Sequence, residues 1–216
     1  MRVSMLVVAA TLTLGAGAAA MMSPAAEAQD AMTRVPAEVR AGTYALDPAH
    51  GKITWSVDHL GFSTYVGQFV NVAATLTLDP ANPSASTLTA TIPLTDVDSN
   101  SDGLDQHLQT DDFFDTANHP TATFRATSIV IDDDDPTEAD VIGELTLRGV
   151  TRPVTMEVEF NQAGPSMGGV YKVGFDGEAT IRRSEFGINF ALPALGDEVE
   201  LHMEGEFVLQ DGSASS

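Results

Sequence analysis

From Thr43 to Gln210 apolar and polar side chains alternate with a period of two. Ile53, Trp55 and Val57 interleave with Lys52, Thr54, Ser56 and Asp58. Leu88, Ala90, Ile92 and Leu94 interleave with Thr87, Thr89, Thr91 and Pro93. Val154, Met156, Val158 and Phe160 repeat the pattern, as do Val199, Leu201, Met203, Gly205, Phe207 and Leu209 against Glu198, Glu200, His202, Glu204 and Glu206. Successive side chains of a strand point to opposite faces, so each run predicts a strand with one buried and one wet face. Turn signals separate the runs: Asp47-Pro48, Asp79-Pro80-Ala81-Asn82-Pro83, Asp135-Pro136, Gly164-Pro165 and Gly168-Gly169. The expected strands are 43–47, 52–58, 64–78, 86–95, 121–132, 139–149, 153–161 and 170–183, with a further one at 197–210. Residues 102–109 break the rhythm and predict one or two helical turns.

Many long antiparallel strands of one-sided pattern imply an all-β sandwich or a closed barrel. A barrel of about eight strands leaves no open edges and has room for one small ligand. The inward positions mix large residues (Trp55, Phe69, Phe124, Phe160, Phe175, Met203, Phe207) with small ones (Gly67, Ala90, Ala126, Gly143, Ala179, Gly205). That mixture suits a lined cavity, and it equally suits jigsaw packing of a filled core.

The first 28 residues differ from the rest. A short positive start, Met1-Arg2, precedes an apolar run from Val3 to Leu14, a Gly/Ala stretch and the small-x-small step Ala26-Glu27-Ala28. This is the pattern of a cleavable secretory signal, too short to span a membrane. The expected organisation is a signal peptide (1–28), a leader (29–42), one domain (43–210) and a flexible tail (211–216), with the product delivered to the periplasm. There is no cysteine, which excludes disulfides, thiolate metal sites and a thiol nucleophile. Ten Lys and Arg face 31 Asp and Glu, a net charge of −21. A chain so acidic is a poor partner for nucleic acid and is not drawn to an anionic membrane.

Candidate chemistry is sparse. Asp98-Ser99-Asn100-Ser101-Asp102-Gly103 matches the first half of a calcium loop, but Gln109 stands where a bidentate Glu closes such sites. No two histidines have the local spacing of a zinc site, although His59, His107 and His119 could converge in space. No G-x-S-x-G elbow, P-loop or G-x-G-x-x-G occurs. Arg183 shares parity with Ala179 and Ile181 and so faces inward. There it needs either an acid from the 96–112 loop or a polar ligand head.

Four ordered blocks carry a family resemblance. They are YALDPAHGKITWSVDHLGFSTYVGQF (44–69), DQHLQTDDFFDTANHPTATF (105–124), GELTLRGVTRPVTMEVEF (143–160) and IRRSEFGINFALPALGDEVELHMEGEF (181–207). Together they resemble the YceI family of exported bacterial proteins. Leu104 and Arg148 depart from it, standing where an arginine and a His or Lys are common. The resemblance implies a lipocalin-like antiparallel β-barrel around an apolar tunnel, binding a long isoprenoid-type lipid such as a polyprenyl chain or a quinone, with no other cofactor and no enzymatic activity. Carried over, Trp55, Val57, Phe69, Phe124, Phe175, Leu201 and Met203 become tunnel-lining candidates. Phe113, Phe114 and Phe186 become candidates for one end, beside Arg183. Phe113 and Phe114 would fold inward as a plug while Asp111, Asp112 and Asp115 keep their loop wet.

Three functions follow as expectations. A lipid carrier needs a long apolar tunnel and no stable membrane insertion. A lipid-acting hydrolase or isomerase needs converging polar groups, such as Asp58, His59 and Arg183. A stress-related interaction protein needs only a filled core. If the chain self-associates, a two-fold homodimer is the default.

Overall fold

The structure, a computed structural model, describes residues 31–210. The expected signal peptide (1–28), the first two leader residues and the tail (211–216) lie outside the described residues. The elements are β1 (Gly42–His59), β2 (Ser63–Phe69), β3 (Ala73–Leu78), β4 (Thr87–Pro93), β5 (Val97–Asp98), α1 (Asp102–Leu108), β6 (Thr121–Ile131), β7 (Glu138–Leu147), β8 (Val150–Pro165), β9 (Tyr171–Arg182) and β10 (Leu195–Leu209).

Every pairing is antiparallel, and the circle closes through β1. Tyr44 pairs with Leu209 of β10 on one side and with Leu76 of β3 on the other. The strands β2 and β3 act as one long strand along β1: Ile53 to His59 pair with Phe69 to Ser63, and Gly42 to Ala45 with Leu78 to Thr75. The strands β4 and β5 run along that pair in the same broken fashion. The result is a closed eight-stranded antiparallel barrel with one short helix.

Two runs differ in continuity from the sequence pattern. The single run expected at 64–78 is broken at 70–72, where Asn71 takes a left-handed conformation (φ 57°), a backbone region that Asn tolerates better than most residues. Conversely, Asp47-Pro48 does not end a strand. The register steps from Leu46↔Phe207 to Gly51↔Gly205, so the intervening residues form a bulge inside β1. Asp47 holds that bulge, accepting from the Ala49 N–H at 3.0 Å and pairing with Lys172 of β9 at 2.7 Å.

The period-two pattern decides which face is which. Glu198, Glu200, His202 and Glu204 are exposed while Phe207 is buried and Leu201 and Met203 turn to the interior. An apolar inside and a charged outside is the reverse of a membrane-spanning barrel. Among the described residues no helix is long and apolar enough to cross a membrane.

The two ends of the barrel are closed differently. At the lower end Tyr44 and Val173 are completely buried, packed with Val39, Phe160, Tyr171 and Phe207. The Tyr44 hydroxyl donates to the Arg40 carbonyl at 2.5 Å, and Thr33 bridges to Ala163. Leader residues therefore pack on the barrel floor. At the upper end residues 99–120, including α1, lie over the opening. Over Ser63–Gly67 the outer edge of β2 meets no partner strand among the described residues; β5 pairs only Gln68 and Phe69. The 99–120 segment covers this region with side chains instead, through Phe114 against Phe69 (5.6 Å between ring centres) and the Tyr65 hydroxyl on the Ser99 carbonyl.

Candidate functional site: an apolar tunnel in two chambers

The interior is not filled. An upper chamber of about 410 Å³ lies beneath the 99–120 segment, and a lower chamber of about 250 Å³ lies in the barrel's middle and lower half. Ile53, Ile92, Leu145 and Leu201 belong to the walls of both, so the two chambers abut along the barrel axis. Both volumes far exceed a packing void, since a single water takes about 30 Å³.

The strand pattern brings most of the expected residues to these walls. Trp55, Val57, Phe69, Phe113, Phe114 and Arg183 line the upper chamber. Phe124, Phe175 and Met203 line the lower one, and Leu201 lines both. Phe186 corrects the expectation: it is 1% exposed, packs within the upper core and lines neither chamber. It is the last residue of a 3-10 turn over Arg183–Phe186, which carries its ring away from the strand's inward row.

Small inward residues serve as seats for large ones. A β-carbon on Gly67 would stand 2.2 Å from Cζ2 of Trp55, and one on Gly143 would stand 2.3 Å from Cζ of Phe124. Jigsaw packing therefore holds in the walls while the axis stays open.

The double phenylalanine forms the upper plug. The Phe113 N–H donates to the Thr110 carbonyl and the Phe114 N–H to the Leu108 carbonyl, so the chain folds back under α1. Phe113 is buried against Phe190 (5.2 Å) and the His107 ring (5.1 Å, edge-on). Asp115 has a left-handed backbone (φ 50°) and accepts from the Asn118 side chain, while Asp112 pairs with His107 at 2.9 Å. The acids thus shape the turn and the two rings close the chamber.

Arg183 is 5% exposed and meets no acid from the 96–112 loop, which corrects that expectation. The strand ends at Arg182, and the Arg183 side chain reaches into the next loop. Its Nε donates to the Gly196 carbonyl (2.7 Å), Nη1 to those of Ile188 (3.2 Å) and Phe190 (2.9 Å), and Nη2 to that of Leu195 (2.8 Å). Burial lowers the guanidinium's pKa, opposed by the charge of Asp197. Asp197 in turn receives the N–H and hydroxyl of Ser184. Burial raises the Asp197 carboxyl, but these hydrogen bonds and the neighbouring arginines outweigh it and hold the group below its ordinary pKa.

The Arg183 anchor brings in a residue the pattern could not reveal. Phe190 sits in the irregular stretch INFALPAL, where no period marks a face, yet it lines the upper chamber and remains 42% exposed. Leu60, at the β1–β2 turn, likewise lines the chamber and is 48% exposed, and its N–H donates to the Ala194 carbonyl. Both wall residues are thus in contact with chamber and solvent alike. The departures from the family pattern also have places. Leu104 joins the chamber wall, and Arg148 donates to the carbonyls of Asp111 (2.7 Å) and Gly187 (2.8 Å), tying the plug to the Arg183 loop.

The metal and catalytic alternatives find little support among the described residues. Asp98 accepts from the Asn100 N–H and the Gln68 side chain, and Asp105 takes the N–H and hydroxyl of Ser99, so these two carboxylates are occupied by protein donors. His59 and His107 line the chamber, while His119 does not and packs instead against Gly149. The donor group close enough to hold a metal is Asp47, His50 and Glu206, outside the barrel, where the Lys172 ammonium bridges the two carboxylates at 2.7 Å each. Asp58 accepts from the Gly61 N–H and Arg183 is committed to carbonyls, so with His59 they form no hydrogen-bonded constellation.

A closed antiparallel barrel, apolar within and charged without, with a capped interior chamber, defines a lipocalin-like ligand-cavity protein. The family model described as the YceI-like domain matches residues 44–207, and the chain belongs to that family. It is 37% identical over 175 residues to a UPF0312 protein of Pseudomonas aeruginosa, covering 80% of this chain and 90% of that one. It is 38% identical over 172 residues to the protein YceI of Escherichia coli, covering 79% and 88%. Among solved structures, Burkholderia cenocepacia BcnA superposes with a TM-score of 0.67 at 24% identity, over 74% of this chain and 98% of that one. A polyisoprenoid binding domain from Saccharophagus degradans, implicated in plant cell wall breakdown, superposes at 0.57 and 13% identity, over 79% and 100%. At these identities the two structures speak to the fold.

Proposed function

We propose that this protein is a non-catalytic binding and carrier protein that holds a long isoprenoid-type lipid along the barrel axis, exported to the periplasm by the signal-like residues 1–28. One observation carries the reading: two apolar chambers share four wall residues, so the interior suits a long, thin, apolar guest better than a compact one. Burying such a chain stabilises the complex by roughly 25 cal/mol per Å² of apolar surface. Membership of the YceI-like family and the fold shared with a polyisoprenoid binding domain support the same ligand class. A filled-core interaction protein would have no need of chambers this large.

The test is native mass spectrometry of the mature protein, residues 29–216, purified from the periplasm of its source cells, with extraction of the bound lipid. A stoichiometric prenyl-chain species is expected, and it should be lost on Trp55→Asp or Phe124→Asp substitution. A bare protein that also refuses prenyl lipids offered in solution would refute the carrier reading.

A further inference from the structure

Large apolar side chains stand in solvent at the upper end of the barrel. Leu60 and Phe62 do so in the β1–β2 turn and Phe190 in the 188–196 loop, with Val66 on the outer face of β2. The Leu60 N–H donates to the Ala194 carbonyl at 3.1 Å, and Leu60 and Phe190 both belong to the upper chamber wall, so turn and loop form one rim. The two segments that build it are uncharged in a chain of net charge −21. No Asp, Glu, Lys or Arg lies between Asp58 and Asp79, or between Glu185 and Asp197.

The needs of folding do not explain these residues. Leu60 and Gly61 take successive left-handed conformations (φ 61° and 70°), and the Phe62 N–H closes the turn on the His59 carbonyl at 3.1 Å. A tight turn with two left-handed residues favours Asn, Asp or Gly in the first of the two places, and a leucine there is strained. Across the rim Ala191, another residue of the chamber wall, is left-handed as well (φ 56°). Phe62 is 89% exposed and lines neither chamber, so a polar residue would serve the fold as well. Local rules broken together at one place point to a use other than stability.

The neighbouring charges select what covers the rim. Asp111 and Asp112 of the plug loop are exposed, and Asp112 is joined to the rim through His107, whose ring meets Phe190 edge-on at 5.1 Å. A second copy of the chain would bring the same net negative charge against this flank, and an anionic membrane would set like charge on like. A zwitterionic bilayer carries its cationic choline or ammonium groups outermost over an apolar interior, which suits an apolar tip with an acidic flank, and its hold on such a tip grows with the apolar area buried. We propose that the rim of Leu60, Phe62 and Phe190 docks the protein reversibly on a zwitterionic bilayer, with Phe62 buried at the boundary of head groups and acyl chains. The two wall residues Leu60 and Phe190 then face the membrane. This rests on the carrier reading and adds to it the surface on which a guest is exchanged.

Vesicle flotation of the mature protein tests the docking face, with phosphatidylcholine vesicles and with vesicles in which part of that lipid is replaced by phosphatidylglycerol. Wild type should float with phosphatidylcholine and less well with phosphatidylglycerol present, and added salt should narrow the difference by screening. Phe62→Ser should lose about tenfold in partitioning, the scale of one phenyl group no longer buried. Its thermal midpoint and its uptake of farnesol from solution should not change. Met167→Ser removes an apolar side chain that is fully exposed on the β8–β9 turn and lines neither chamber, and it should float as wild type does. Leu60→Asn should weaken docking while holding or raising the midpoint. Equal losses from Phe62→Ser and Met167→Ser, or no loss from Phe62→Ser, would overturn the docking face. A wild type that takes up farnesol and ignores every vesicle would overturn it too and leave the carrier reading intact. So would a dimer that Phe62→Ser abolishes in place of vesicle binding, which would give the rim to a second copy. Docking without any uptake of farnesol would support the face and overturn the carrier reading.

Discussion

Gly67 of β2 stands directly opposite Trp55 of β1, and the indole lies over it so closely that a β-carbon at residue 67 would come within 2.2 Å of Cζ2. The ring has its place because the facing strand has no side chain there. Gly67→Ala should therefore force the indole out of its seat and destabilise the protein by about 1–3 kcal/mol, as overpacking does. Urea unfolding followed by the fluorescence of Trp55 gives both numbers at once: a lower midpoint and an altered native emission. An unchanged midpoint and emission would show that the pair is loose.

Arg183→Lys should be far from conservative. One ammonium cannot reach four carbonyls that a planar guanidinium satisfies from three nitrogens. Buried carbonyls left without donors destabilise by about 1–3 kcal/mol each, so a loss of about 3 kcal/mol or more is expected from denaturant midpoints. A loss under about 1 kcal/mol would mean that the 188–196 loop holds its shape without the anchor.

Phe113 and Phe190 touch at 5.2 Å but differ in burial, 7% against 42% exposed. Phe113→Ala should lower stability by about 3 kcal/mol. Phe190→Ala should lower it by less than about 1 kcal/mol, yet speed release of a bound prenol about tenfold, because affinity changes at one interface fall mainly on the off-rate. Stopped-flow displacement separates the two. If Phe190→Ala slows release or leaves it alone, Phe190 does not gate the upper opening.

The Asp47 bulge predicts a pH dependence. The hydrogen bond from Lys172, then those from the Ala49 N–H and His50, hold the Asp47 carboxyl well below its ordinary 3.8. A group depressed in the folded state stabilises above its unfolded pKa, and that contribution fades as pH falls toward the native value. Asp47→Asn should cost about 1 kcal/mol at neutral pH, the scale of a partly exposed ion pair. The gap between variant and wild type should stay constant down to about pH 5 and close below about pH 4. Thermal melts of both proteins across that range measure it, and a gap that widened in acid would contradict the assignment.

The barrel was legible because its strands are one-sided: a period of two sorts Trp55, Phe124 and Met203 from Thr54, Arg125 and His202 without further information. The same rule turned them inward, and the family resemblance made them candidates for the tunnel wall. It failed where the chain leaves the strand period. Phe186, a candidate from the family resemblance, and Phe190 lie in a 3-10 turn and an irregular loop where no period marks a face, and the Arg183 guanidinium holds the Phe190 carbonyl. Asp47-Pro48 reads as a turn because its local chemistry is turn chemistry, but the two long strands on either side of it pair with the same neighbour, and the ladder absorbs the extra residues as a bulge. The calcium-like spacing at 98–103 was likewise local, since Asp98 accepts from the N–H of Asn100 within its own loop.

The free outer edge of β2 over Ser63–Gly67 bears on how a guest gets in. An unbroken hoop of backbone hydrogen bonds admits a long chain only end-first, like thread through a needle's eye, and each added unit lengthens the passage. A hoop whose wall at one place consists of the rings of Tyr65, Phe69 and Phe114 can part there without breaking a rung of any ladder. For a carrier of long chains, such a seam would be a second way in beside Phe190, with a loading time set by the parting of side chains rather than by the length of the guest.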